Sequence, residues 1–312
     1  MKKILIALSV VIIGLGTVHV ASDVYRYDFY QWAIEFEASK AQLEAKTQSV
    51  DGLTFAYLET PRVEDQESII MLHGFGASKE NWLRFSAAFE GKYHLVALDL
   101  MGHGENVQDM NQSYTIESQV EFVHKVATKL GIDQFHIVGN SMGGAISSLY
   151  SASYPKQILS AVLISPAGIH DIPSRMDELL DEGSNPLIAT TAEGFDQLID
   201  FAMEARPYIP SMITKVEAEK AAGRVDINEK IFKDITADIK QGMGNTLKRI
   251  QAPVLIIWGD HDRAINVANI DKYAELIPNA TKLILKDIGH LAMIEAPKVS
   301  VNAMIQFMPK SY

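Results

Sequence analysis

The stretch Phe135-His136-Ile137-Val138-Gly139-Asn140-Ser141-Met142-Gly143-Gly144 changes character in the middle. Phe135 to Val138 is a short apolar run of the kind that makes a buried strand. Gly139 and Asn140 break it. From Met142 onward Ala145, Ile146, Leu149 and Tyr150 recur at three- and four-residue spacing, which is helical. Ser141 sits at the break, inside G-x-S-x-G, between a strand and a helix. In that context the motif presents a serine nucleophile on a sharp turn. The turn needs unusual backbone angles and neighbours without bulk, and Gly139 and Gly143 supply the room. It also sets the hydroxyl at a helix N-terminus, where free N–H groups face developing negative charge. The N–H of Met142 is thus half of a candidate oxyanion hole. A glycine-rich turn carrying an idle serine would look the same over five residues, so the rest of the chain has to decide.

Working outward, strands and helices alternate on both sides of this turn. Residues 53–60 alternate apolar and polar after an Asp51-Gly52 turn and read as the end of a hairpin. Residues 68–72, 94–99, 158–165 and 254–258 are largely apolar runs, expected as strands buried on both faces, and 281–285 reads as the last strand. Helical patterns cover 81–89, 114–130, 142–154 and 297–308. Such alternation predicts an α/β fold: a mostly parallel central sheet flanked by helices. Between 168 and 247 no strand pattern occurs, and apolar residues mix with several prolines. This is expected as a helical cap over the sheet's C-terminal edge. The division predicted is a core of 49–167 and 248–312, with the cap at 168–247.

The N-terminus is different. Lys2 and Lys3 precede an apolar run over residues 4–21, about 18 residues, between a long signal core and a short membrane span. His19 stands where a cleavage site wants a small residue, which favours an uncleaved membrane anchor over a cleaved signal peptide. In both readings the two lysines stay inside and the remainder is exported. The protein is then either anchored in the inner membrane facing the periplasm or exterior, or secreted after cleavage. Membrane association is expected through residues 4–21. Residues 22–48 are read as an amphipathic helix and linker, helical over 23–46, with Tyr25, Phe29, Trp32 and Phe36 on one face. Aromatics just past an apolar span suit a membrane interface; a helix packed on the catalytic domain suits them equally.

Composition removes several classes. A formal charge of −11 over 312 residues argues against nucleic acid, whose binding needs a basic face. No cysteine is present, so there is no disulfide, no thiolate metal site and no lipoprotein-type acylation. Asp260-His261-Asp262 is acidic and compact, but a third metal ligand at helpful spacing is absent, and no metal or cofactor is expected.

Chemistry concentrates at the strand ends. The strand at 68–72 runs into His73-Gly74-Phe75-Gly76, whose glycines let the backbone turn toward Ser141; the Phe75 N–H is the second candidate oxyanion donor. His73, Asp99 and His103 are expected to lock loops. Serine needs a base, and a histidine base needs a carboxylate to hold its tautomer. His290, after the last strand, fits the base. Asp262 fits the carboxylate, with Asp260 the alternate. Residues of these types past three strands of a parallel sheet share one edge, where sites form. Their order, serine then acid then histidine, is far more specific than the turn alone.

The motifs His73-Gly74-Phe75-Gly76, Asp99-Leu100-Met101-Gly102-His103-Gly104, Gly139-Asn140-Ser141-Met142-Gly143-Gly144, Trp258-Gly259-Asp260-His261-Asp262 and Gly289-His290 together resemble the α/β-hydrolase superfamily, over nearly all the chain from residue 50. With the N-terminal apolar segment and residues 73–82 (HGFGASKENW), the chain is similar to bacterial lipases related to membrane-anchored monoacylglycerol lipases. The resemblance implies Asp262 as the acid. One departure stands out: Asn266 occupies a place where that family often has proline. The expectation is a serine carboxylic ester hydrolase acting on small lipid-like esters through an acyl-enzyme. Two alternatives stand beside it. One is a carbon–carbon bond hydrolase of ring-fission products, disfavoured by the export segment. The other is a non-catalytic module on the same fold, disfavoured because every member of the constellation is present.

Overall fold

A computed structural model of the chain describes residues 25–240 and 242–309. Its centre is an eight-stranded sheet in the order β1-β2-β4-β3-β5-β6-β7-β8. The strands are β1 (Glu44–Val50), β2 (Leu53–Glu59), β3 (Ser68–Leu72), β4 (His94–Leu98), β5 (Phe135–Asn140), β6 (Ile158–Ile164), β7 (Val254–Gly259) and β8 (Ala280–Leu285). β2 runs antiparallel to both its neighbours, and β4 through β8 pair in parallel.

The continuous apolar strands are covered on both faces, as parallel strands require. Period-2 alternation divides them. Ile70, Leu72, Val96, Leu98, Ile137, Leu163 and Ile256 face one core, packed with the helices Ile116–Lys129 and Met142–Ser153. Ile69, Met71, Leu95, Ala97, Val138, Ile164 and Ile257 face the other, with Trp82, Phe85, Val301 and Met304. Asp51 and Gly52 take φ of 50° and 79°, the two left-handed positions of a tight hairpin turn between β1 and β2.

The expected helix over 23–46 ends early. It spans Arg26–Lys40, and residues 44–48, grouped above with the linker, belong to β1. The reason is tertiary. Glu44 to Val50 alternates weakly, and its pairing with β2 across the Asp51-Gly52 turn overrides a helical reading. The aromatic face points outward: Tyr25, Trp32 and Phe36 are 61%, 56% and 48% exposed. The opposite face docks on the helix Ser211–Ala222 through Arg26 to Glu219 (2.9 Å), Tyr30 to Glu217, and Lys220 Nζ to Tyr30 Oη (2.6 Å). Residues 1–24, with the expected anchor or signal and His19, lie outside the described residues. Among the described residues no helix is long and apolar enough to cross a membrane. The helix expected over 81–89 is a 3-10 turn, Lys79–Trp82, followed by the short helix Leu83–Ala87.

Between β6 and β7 the described residues form helices Arg175–Asp181, Ala192–Ala202, Ser211–Ala222, Val225–Lys240 and Gly244–Leu247, and no strand. Val225–Lys240 is the fixed part. Ile227, Ile231 and Ile235 are buried in the same core as the sheet. Asp234 and Asp238, one turn apart, accept the backbone N–H of Tyr114 (3.0 Å) and Ile116 (2.7 Å) and so cap the start of Ile116–Lys129.

Several histidines are interior. Burial pushes His73, His136 and His170 below their usual range. His103 is pushed further, first by burial and then by His73 and Arg224 nearby. In the unfolded chain each titrates near ~6.5. Below that pH the unfolded state binds more protons than the folded one, so these groups favour folding above the unfolded value and penalise it as pH falls. Thermal melts are therefore expected to show a falling Tm from pH 7 to pH 5. A Tm that stays level or rises over that window would refute this.

Candidate active site

The turn after β5 has the geometry its sequence demands. Ser141 sits at φ 54°, ψ −116°, a strained position for a residue with a side chain. A Cβ on Gly139 would lie 2.0 Å from the Gly143 carbonyl oxygen, and one on Gly143 would lie 2.1 Å from that of Leu72. The turn therefore closes against itself and against the end of β3. The Ser141 carbonyl accepts from Gly144 N (2.9 Å), Ala145 N (3.1 Å) and Ala167 N (3.0 Å), which ties the turn to the chain leaving β6.

The loop after β3 lies alongside. A Cβ on Gly74 would be 3.3 Å from Ser141 Cβ, so backbone at 74–75 passes close to the serine. His73 holds this loop. Its Nδ1–H donates to the Gly74 carbonyl (2.7 Å), and its Nε2 accepts from Leu100 N (3.0 Å). Asp99 organises the next loop, accepting Lys79 N (2.8 Å), Lys79 Nζ (2.9 Å) and Glu105 N (2.9 Å). His103 Nδ1 donates to the Met101 carbonyl (3.0 Å). All three act as loop locks. Among the described residues, the backbone N–H groups of Phe75 and Met142 make no hydrogen bond, and neither does Ser141 Oγ.

The ends of β7 and β8 supply the acid and the histidine. His290 Nδ1 and Asp262 Oδ2 are 2.8 Å apart, with side chains 6% and 0% exposed. Asp262 also accepts from Trp258 Nε1 (2.9 Å) at Oδ2 and from Ala264 N (2.9 Å) and Ile265 N (3.0 Å) at Oδ1. A carboxylate only accepts, so His290 carries its proton on Nδ1 and leaves the Nε2 lone pair free. Asp260, the alternate acid, points elsewhere. It pairs with His261 Nδ1 at 2.7 Å on the surface, and that hydrogen bond lowers the Asp260 carboxyl and raises the His261 imidazole. Asn266, in the place where proline was noted, spans the loop and the cap. Its Nδ2 donates to the Pro173 carbonyl (2.9 Å) and its Oδ1 accepts from Ala268 N (3.0 Å).

Some residues that shape the site carry no sequence signal. Asn140 Nδ2 donates to the carbonyls of Ile164 and His290, each at 3.1 Å, and so brings the His290 backbone beside the serine turn. Trp258 was visible as a strand end but not as a donor to Asp262. The third cation ligand missing from the sequence also turns up: the fold places Asp287 with Asp260 and His261, their ligand atoms within 4.8 Å of one another. Two of the three are exposed, and an exposed acidic cluster alone identifies no site.

The model of the α/β-hydrolase fold matches residues 67–297, and the chain belongs to that family. It is a hydrolase by family and by relatives. "Lipase 3" of Moraxella sp. (strain TA144) is 34% identical over 276 residues, covering 87% of each chain. Human "Monoacylglycerol lipase ABHD6" is 29% identical over 81% of this chain and 79% of its own. The solved structure of "a membrane phospholipase A, a novel bacterial virulence factor" superposes with a TM-score of 0.87 at 33% identity, covering 98% of both chains.

Proposed function

We propose that the protein is a serine carboxylic ester hydrolase that cleaves lipid-like esters through an acyl-enzyme. The observation that carries this reading is the buried His290–Asp262 hydrogen bond of 2.8 Å at the strand edge that also presents Ser141 on its strained turn. His290 Nε2 takes the Ser141 proton as Oγ attacks the ester carbonyl. The Phe75 and Met142 N–H groups hold the oxyanion of the tetrahedral intermediate. The imidazolium returns its proton to the departing alcohol. Water, deprotonated in turn by His290, then attacks the acyl-serine and releases the acid. The relatives named lipases and the similar phospholipase support an acylglycerol or comparable lipid ester as substrate.

Residues 4–21, behind Lys2 and Lys3, would hold the enzyme at a membrane from the exported side, with the outward Tyr25, Trp32 and Phe36 beside the anchor. Fractionation of full-length protein, with its mature N-terminus read by mass spectrometry, separates an anchor from a cleaved signal. Recovery of an uncleaved chain in the soluble fraction would defeat both.

The test of the chemistry is a series of p-nitrophenyl esters of increasing acyl length, and a monoacylglycerol, assayed with the wild type and Ser141→Ala. Turnover that the variant abolishes is expected, and the optimum chain length would separate lipase from short-chain esterase. Full activity in Ser141→Ala, or no ester turnover by folded wild type, would overturn the proposal.

A further inference from the structure

Glu295 has a role that neither the motifs nor the reaction scheme calls for. It ends the short helix Ala292–Glu295, and its half-buried carboxylate turns back toward the residues flanking His290. Oε1 accepts from Gly289 N (3.1 Å) and Leu291 N (3.2 Å). Oε2 accepts from Gly289 N (3.0 Å) and, from the cap, Glu204 N (2.8 Å) and Ala205 N (2.7 Å). Four backbone N–H groups from two segments far apart in sequence thus converge on one carboxylate. None of the four donors lies inside a helix or strand, so the carboxylate supplies an acceptor that regular structure does not.

Two further contacts close the same junction. His290 N donates to the Ala202 carbonyl (2.8 Å), the last residue of the cap helix Ala192–Ala202. Gly289 is packed so tightly against the cap that a Cβ there would lie 2.7 Å from Glu204 N and 2.8 Å from the Ala202 oxygen. The His290 loop is therefore fastened to the cap on both sides of the histidine.

We propose that Glu295 is a positioning residue: by clamping residues 289 and 291 to cap residues 204 and 205, it holds His290 in register with Asp262 and Ser141. The proposal rests on the reading of His290 as the base. Geometry explains why the residue is a glutamate. Every partner is a donor, so both oxygens must accept. A glutamine would turn an NH2 against backbone N–H groups in either orientation, and an alanine leaves all four donors without their acceptor. The consequence falls on proton transfer more than on substrate binding, because small errors in the placement of a catalytic group are costly.

The experiment compares Glu295→Gln and Glu295→Ala with wild type in two measurements. In steady-state ester hydrolysis, kcat is expected to fall about 10- to 100-fold with KM little changed. Amide hydrogen exchange followed by mass spectrometry should quicken together at 202–205 and 288–291. An unchanged kcat in the variants, a loss of kcat/KM carried by KM alone, or faster exchange in one of the two segments alone would each overturn the clamp. Should wild type fail to turn over esters, the functional reading falls, and the exchange measurement still decides whether Glu295 joins the two segments.

Discussion

Asp262→Asn should lower kcat for ester hydrolysis by about 10⁴-fold, the loss expected when a catalytic histidine is held in the wrong tautomer. The geometry makes the effect severe. Four N–H groups converge on the Asp262 carboxylate: His290 Nδ1, Trp258 Nε1, Ala264 N and Ile265 N. Asparagine offers one accepting oxygen. If that oxygen serves Ala264 and Ile265, the NH2 group faces His290 and Trp258. His290 must then accept at Nδ1 and carry its proton on Nε2, where it cannot take one from Ser141. Because Trp258 Nε1 also loses its shorter bond and keeps only the one to the Ile265 carbonyl (3.3 Å), the variant is expected to be less stable by about 1 kcal/mol. Steady-state rates and denaturant melts on the same preparation check both parts. An Asp262→Asn enzyme within tenfold of wild type would show that this carboxylate is not the one acting on His290. In that case Asp260 would be the next residue to change.

Gly143→Ala is expected to destabilise the fold strongly. A Cβ at Gly143 would meet the carbonyl oxygens of Leu72 at 2.1 Å and His73 at 2.6 Å. Both are backbone atoms at the end of a fully buried strand, so no side chain can move aside. Overpacking costs about 1–3 kcal/mol and occasionally more, and backbone atoms that cannot relax put this site at the upper end. The strain falls where the loop carrying Phe75 meets the serine turn, so any folded fraction should have lost ester turnover as well. The measurements are soluble yield, Tm and specific activity of the folded fraction. A well-folded Gly143→Ala protein with wild-type activity would mean that the turn is looser than its packing implies.

Legibility in the sequence followed the range of the interactions. Gly139, Ser141 and Gly143 were readable because the turn's demands act over five residues: a positive φ at Ser141 and no side chain at either glycine. The strands at 68–72 and 94–98 were readable because burial on both faces leaves an uninterrupted apolar run. The hairpin turn at Asp51-Gly52 was readable for the same local reason, whereas β1 on its far side was not. Glu44 to Val50 is a polar edge strand, and its identity comes from the partner it pairs with.

Spacing and residue type thus carry the α/β alternation, the serine turn and the strand ends from which an acid and a histidine can be offered, because those depend on backbone preferences and burial within one element. They do not carry the partner of His290. Asp260 and Asp262 stand two residues apart on the same loop, and the approach of the loops after β7 and β8 sends one to the surface beside His261 and the other into contact with His290. Nor do they carry the junction at Glu295, where hydrogen bonds reach across about ninety residues of sequence to the cap. Such contacts leave no periodic trace, since a single glutamate after a histidine looks the same whether its carboxylate faces solvent or four backbone N–H groups.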